Sequence, residues 1–418
     1  MKLITEYLHQ SISNHLSNIN IPNTNPFFSP LSRTFLSTLF QKIHNANLEW
    51  YSQRIQIENN WNNPTANTSD YNHIPEPIRK NWIEIIPRDT IIKRQATLNI
   101  GDRTFHIFLW FPTIHRNINP PTIMSEKEIE NKVQSTIHRI FLWLSVANTF
   151  LVKPAKCSKE VNIYLYLTHH CKFLPTNHKK PIDQLCANTA FTTGCVLEKT
   201  NIHIFREEEW FKTFMHETFH NLGMDFIDLD RPEINQRILQ LFPISVQDIR
   251  LYESYTEMCA TMMNILFVVY LRDPPAKKGR LPFVKWIAMA EDKFRMEQKF
   301  ALFQAHKILG YHRLKYSDLF LTEKARIYHE NTNVFSYYIL KCIWILNLNS
   351  FIEFCAKQPG GSSLKFHLTD RNLDHYIQLL KQFAVSKSVI ETFRELPINT
   401  KQINFTNTTL RMTLHELE

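Results

Sequence analysis

The stretch NIHIFREEEWFKTFMHETFHNLGMDF, residues 201–226, passes directly from an alternating, β-branched run into helical spacing. That junction constrains the fold more than any other feature of the chain. Upstream, the pattern predicts strands near 90–99 and 103–111 around a Gly101-Asp102 turn, and further strands at 161–168, 189–193 and 201–205. Downstream it is helical over 206–222, 231–241, 246–272, 282–308, 333–357 and 370–385. Ser125, with Glu128 three residues later, forms a capping box that opens a long helix to about residue 148. Residues 1–19 and 29–60 also carry helical spacing, and the polar stretch 62–77 reads as a loop. Strands first and helices after predict an α+β fold. The implied division is a helical N-terminal region at 1–89, a mixed-sheet unit at 90–272 with the 206–222 helix at its centre, and a mainly helical C-terminal lobe at 273–418.

The helix at the junction carries the chemistry. Glu207, Glu208 and Glu209 are expected in its first turn, where negative charge meets the positive dipole end. Trp210, Phe211, Phe214, Met215, Phe219 and Leu222 recur at three- and four-residue steps and form a buried face. His216 and His220, at i and i+4, point the same way from successive turns. Their imidazoles can reach one Zn²⁺ at about 2.0–2.1 Å each. Glu217, next to His216, is the candidate general base, and Gly223 is placed to end the helix in a left-handed conformation. A catalytic zinc of this kind takes a third protein ligand and keeps one position open. Phe226 stands where a third histidine would follow the glycine, so Asp225 and Asp228 are the minor local candidates. The stronger source is residues 245–272, read as a helix capped by Ser245 with Asp248. Its apolar interior holds Glu253 and Glu257 one turn apart, and a carboxylate there is costly unless paired or metal-bound. Glu257 is the first choice of ligand; Glu253 is the backup, or a partner that orients a histidine ring. Tyr252 and Tyr255 are candidate oxyanion donors.

Together, the histidine pair, the helix-ending glycine and the glutamate followed by Ala260 resemble the gluzincin branch of the zincin metallopeptidases. More narrowly, NTAFTTGC (188–195), residues 201–226 and ESYTEMCATMMN (253–264) resemble zincin-like proteins of large nucleocytoplasmic DNA viruses. HENTNVFSYYILK (329–341) extends the resemblance, and the first 90 residues lie outside it. It implies a zincin-like mixed sheet, with His216, His220 and Glu257 as zinc ligands and Glu217 as general base. The implied reaction is hydrolysis of peptide bonds by a metal-activated water, in infected cells or virions, on peptide or protein substrates. One departure is Thr261, where thermolysin-like relatives place an aspartate that orients a histidine. A second reading from another class is a zincin-fold structural or interaction protein of a virus particle, associated with other virion proteins. Glu217 discriminates, because a purely structural site needs ligands but no base. The strand NIHIF is expected to be a sheet edge on which an extended peptide adds.

The remaining features set the class. Hydrophobic residues at 44% and charged residues at 21% fit a soluble globular chain. The net charge of +9 is spread in short runs such as Lys277-Lys278-Gly279-Arg280, with no clear nucleic-acid or membrane signal. Neither a signal peptide nor a transmembrane run is evident, which points to an intracellular location. Seven cysteines without a C-x-x-C predict free thiols in a reducing compartment, Cys186 and Cys195 among them as packing residues. His169-His170-Cys171 reads as a loop rather than a second metal site.

Overall fold

The computed structural model describes residues 2–16, 21, 26–52, 55–58, 74–84, 91–115, 122–272, 282–394 and 405–417. The expected loop at 62–77 lies largely outside them. The chain is mixed α/β and divides into two compact units. One comprises 41–171 and 189–224; the other comprises 1–40, 172–188 and 225–418.

The first unit is built on a six-stranded mixed sheet. Its strands are β1 (Ile57–Glu58), β2 (Ile91–Ile100), β3 (Arg103–Pro112), β4 (Glu160–Tyr166), β5 (Ala190–Thr192) and β6 (Lys199–Ile204), in spatial order β1-β2-β3-β4-β6-β5. The β2–β3 hairpin turns at Gly101, whose φ of +62° suits a residue without a Cβ. Strands β3 and β4 are parallel, so a crossover must join them. The helix Glu126–Asn148 supplies it, opened by the expected reciprocal cap between Ser125 and Glu128. Val161, Ile163 and Leu165 of β4 are fully buried, as a central strand requires. On the sheet, Tyr164, Tyr166, Phe108 and Trp110 cluster with Ile74 and with Ile78 of the short helix Glu76–Glu84, which sequence spacing did not reveal.

Strand β6, the NIHIF run, lies between β4 and β5. The expectation that it forms the edge is therefore corrected. The three-residue β5 pairs antiparallel with it and takes the edge, because the turn at 193–198 folds TAFTT back along β6. The same turn brings Cys195 to Cys157 at the start of β4, with Cα atoms 5.3 Å apart and a disulfide between them. The expectation of seven free thiols is corrected to five: Cys171, Cys186, Cys259, Cys342 and Cys355. The two paired cysteines are 38 residues apart in sequence and meet only through strand pairing.

The second unit is helical. Its longest elements are Leu251–Arg272, Phe283–Tyr311 and Asp370–Ala384. The expected 333–357 helix is divided into a π-helical segment, Phe335–Leu340, followed by Lys341–Leu346 and Leu348–Ala356. The end of the chain is threaded through this core: residues 409–417 are buried although they form no helix. Their backbone is held by buried side chains. Asn264 donates to the His415 carbonyl at 2.7 Å, Lys341 donates to the Met412 carbonyl, and Glu297 accepts from Leu414 N at 2.9 Å. No single helix among the described residues is long and apolar enough to cross a membrane.

Candidate metal centre

The helix bearing the two histidines spans Trp210–Asn221, and all of it is buried. It starts later than the sequence suggested. Glu209 adopts a left-handed φ of 59° just before it, so Glu207, Glu208 and Glu209 precede the first turn. Glu207 has another role. Burial alone would raise its pKa, but Lys132 Nζ at 2.5 Å and His169 Nδ1 at 3.0 Å outweigh that and hold it at about 2. His169 is thus part of a hydrogen-bonded cluster with Glu207 and Lys132 at the helix entrance.

Asn221 ends the helix one residue after His220 and fixes it to the sheet. Its side-chain amide donates to the Thr193 carbonyl at 2.9 Å and to Thr192 Oγ1 at 3.2 Å. Its carbonyl accepts from Ser158 Oγ at 2.6 Å. The sequence alone did not single it out, since an asparagine near a helix end is also an ordinary stop signal. Beyond it, Gly223 has φ +60°; its N–H donates to the His220 carbonyl and Met224 N–H to the Phe219 carbonyl. This Schellman closure satisfies the last carbonyls of the turn that carries His220. A Cβ on Gly223 would lie 3.0 Å from Cys195 Sγ, so the disulfide packs directly behind this turn.

Within that frame the two imidazoles meet. His216 Nε2 and His220 Nε2 are 3.1 Å apart, with ring centroids 4.9 Å apart and planes at 75°. His216, Glu217 and His220 are 6%, 8% and 8% exposed, so the pair is enclosed but not sealed. Two nitrogens bound at 2.0–2.1 Å to one tetrahedral ion would be about 3.3 Å apart, so the spacing fits a shared zinc. Without an ion, the same spacing suits one neutral imidazole donating to the other.

The remaining sequence candidates lie in the helical unit. The helix expected from 246 begins at Leu251, so Ser245 is not its cap. Glu257 is fully buried within it, while Glu253, one turn earlier, is 6% exposed and accepts from Asn333 Nδ2 at 3.0 Å through Oε1. Tyr255 is tied into the core: its hydroxyl donates to the Leu364 carbonyl at 2.9 Å and accepts from Gln358 Nε2 at 3.2 Å, amid Phe226, Phe351, Phe366 and Tyr376. Burial, and then the neighbouring Glu253, raise the Tyr252 pKa well above its ordinary value. Asp225 accepts from Ile227 N at 3.1 Å in a local turn, and Asp228 is exposed. Thr261 is buried in the Leu251–Arg272 helix. Burial and then Asp248 push Asp230 up to about 6.

Comparison of the chain with family models, curated proteins and solved structures gives no match.

Proposed function

We propose that this chain is a zinc-dependent peptidase with His216 and His220 as metal ligands and Glu217 as general base. The observation that carries the reading is the 3.1 Å approach of the two Nε2 atoms on one buried helix, with a carboxylate in the same turn. For the third ligand the candidates stay those of the sequence, Glu257 first and Glu253, one turn earlier on the Leu251–Arg272 helix, second, to be told apart by the zinc content of Glu257→Ala and Glu253→Ala. The resemblance to zincin-like proteins of large DNA viruses supports the same class and a role in infected cells or virions.

Zinc, when bound, supplies Lewis acidity that lowers the pKa of a water and polarises a carbonyl. The residues do the rest. His216 and His220 act as neutral donors through Nε2 and are held by a helix that cannot shift without breaking the Asn221 and Gly223 closures. The Glu217 carboxylate accepts the water's proton and returns it to the leaving amine. Strand β5 ends the sheet among the described residues, and we take it as the place where an extended peptide can add as a further strand.

The test is a peptide-library digest with wild type, Glu217→Gln and a chelated control. Glu217→Gln keeps side-chain shape and should leave zinc content and thermal stability near wild type. Turnover should fall by roughly 10²-fold or more. Cleavage that survives both substitution and chelation would sink the peptidase reading. Zinc retention with no cleavage by any sample would favour a zincin-fold scaffold.

A further inference from the structure

Three segments far apart in sequence meet at the end of the histidine-bearing helix: 157–158 before β4, the turn 193–198 between β5 and β6, and 220–224. All three belong to the unit built on the sheet. Ser158 joins them. Its N–H donates to the Leu197 carbonyl at 2.8 Å; its Oγ donates to the Asn221 carbonyl at 2.6 Å and accepts from Thr200 Oγ1 at 3.0 Å. It holds a left-handed φ of 50°, which is unfavourable for a residue with a Cβ and so depends on those partners. Asn221 in turn donates to the Thr193 carbonyl and to Thr192 Oγ1.

One covalent bond spans these contacts. Cys157 immediately precedes Ser158, Cys195 sits in the turn, and the disulfide between them ties together the two segments that grip Asn221. Cys195 Sγ also packs against Gly223, where a Cβ would lie 3.0 Å from it. The Gly223 and Met224 N–H groups close the helix on the His220 and Phe219 carbonyls. The bond is within reach of a reductant. Cys157 is 8% exposed, but Cys195 is only half-buried. It lies between Gly194, where a Cβ would meet nothing within 4 Å, and Val196, which is exposed.

We propose that the Cys157–Cys195 pair is a redox switch for this helix end: oxidised, it clamps the turn behind His220; reduced, it lets that turn open. A dithiol reductant supplies the chemistry. Its thiolate attacks Cys195 Sγ, the S–S bond breaks, and Cys157 leaves as a thiolate that takes up a proton. The second thiol of the reductant then displaces Cys195 from the mixed disulfide. Two electrons and two protons pass to the protein, and the reductant departs as its own disulfide. Two thiols then stand at non-bonded separation where one bond joined them, and close-packed neighbours such as Gly223 take up the displacement. Where His216 and His220 hold a metal, as proposed above, loosening the His220 turn weakens it. The switch itself does not rest on that reading.

The experiment compares amide hydrogen exchange of the full chain before and after a phosphine reductant, with thiol labelling of the denatured chain in each state. Five thiols should react before reduction and all seven after it. The Gly223 and Met224 amides should exchange about 5- to 30-fold faster once reduced, the range for losing the contacts of one helix cap. Arg313 and Leu314 close the helix Phe283–Tyr311 with the same pair of bonds and should be unchanged. Re-oxidation with glutathione disulfide should restore slow exchange. The double variant Cys157→Ser/Cys195→Ser should exchange fast with or without reductant. Unchanged exchange at Gly223 and Met224 after full reduction would overturn the inference. So would an equal rise at Arg313 and Leu314, which would make the disulfide a staple of the whole fold, or a response to reductant that persists in the double variant. Seven reactive thiols that glutathione disulfide does not lower to five would overturn it as well. A reversible exchange change with zinc bound in neither state would sink the metal centre and leave the switch standing.

Discussion

Two helix ends in this protein are built alike and place their histidine rings differently. Trp210–Asn221 and Phe283–Tyr311 both close with a residue in the left-handed region, Gly223 at φ +60° and Arg313 at φ +58°. Both make the same pair of closing bonds: Gly223 N to His220 O with Met224 N to Phe219 O, and Arg313 N to Gly310 O with Leu314 N to Leu309 O. Each end also presents two histidine rings with centroids 4.9 Å apart, crossing at 75° for His216–His220 and 73° for His312–His329. The first pair comes from one helix at i and i+4, and its Nε2 atoms converge to 3.1 Å. The second pair joins a helix cap to a loop. Among the described residues, neither ring nitrogen of His312 has a hydrogen-bond partner, and His329 directs Nδ1 to the Ile327 carbonyl at 2.9 Å. Ring proximity therefore does not make a metal site. In the proposed metal centre the nitrogen atoms themselves converge, which i,i+4 spacing on one helix allows.

The strongest way to break this comparison is metal analysis. His216→Ala and His220→Ala should each lose most of the roughly one zinc per chain, because two remaining ligands bind weakly. His312→Phe and His329→Ala should keep it. Zinc loss on substitution at His312 or His329, with zinc kept in the other pair, would invert the assignment.

A smaller effect separates the pairs by pH. Burial, and then His329 and His178, lower the His312 pKa to about 4, so the fold holds this ring neutral. A histidine with a lowered folded pKa contributes stability that is complete above its unfolded value near 6.5. That contribution is lost as pH falls towards 4. The loss is on the order of 2–3 kcal/mol at pH 4. His312→Phe keeps a buried ring without a titrating group, so denaturant midpoints between pH 6.5 and 4 should fall less steeply than for wild type. Parallel slopes would show that His312 is not among the groups driving acid unfolding.

The smallest effects concern the two closures. Arg313 is exposed and pays for a left-handed φ, so Arg313→Gly should stabilise by about 1 kcal/mol. Gly223→Ala should destabilise by at least about 1–2 kcal/mol, since it adds the same backbone cost and sets a Cβ 3.0 Å from Cys195 Sγ. Equal and opposite midpoint shifts would mean that the disulfide yields without cost.

Much of the fold was legible in local pattern. The β2–β3 hairpin, the capped helix Glu126–Asn148, and β4, β5 and β6 all fall within a few residues of their expected positions. Each is specified by periodicity and by turn or cap residues close in sequence. Errors arose where the deciding partner is distant. NIHIF reads as well for an edge as for an interior strand, since both need the same alternation. Cys157 and Cys195 carry no spacing signal, and the backbone of 409–417 is satisfied by Asn264, Glu297 and Lys341 from other helices.

The sequence by itself determined the candidate chemistry: His216, Glu217, His220 and Gly223 lie within eight residues, and helical geometry alone aligns the two imidazoles and ends the turn behind them. Only the tertiary structure decided what holds those groups. Asn221 is bound to Thr192 and Thr193, Gly223 is backed by Cys195, and Glu253 accepts a hydrogen bond from Asn333. The reason is physical. Side-chain direction on a helix follows from a fixed rise and rotation per residue, whereas a hydrogen-bond partner 80 residues away is chosen by how the elements pack, which no local pattern encodes.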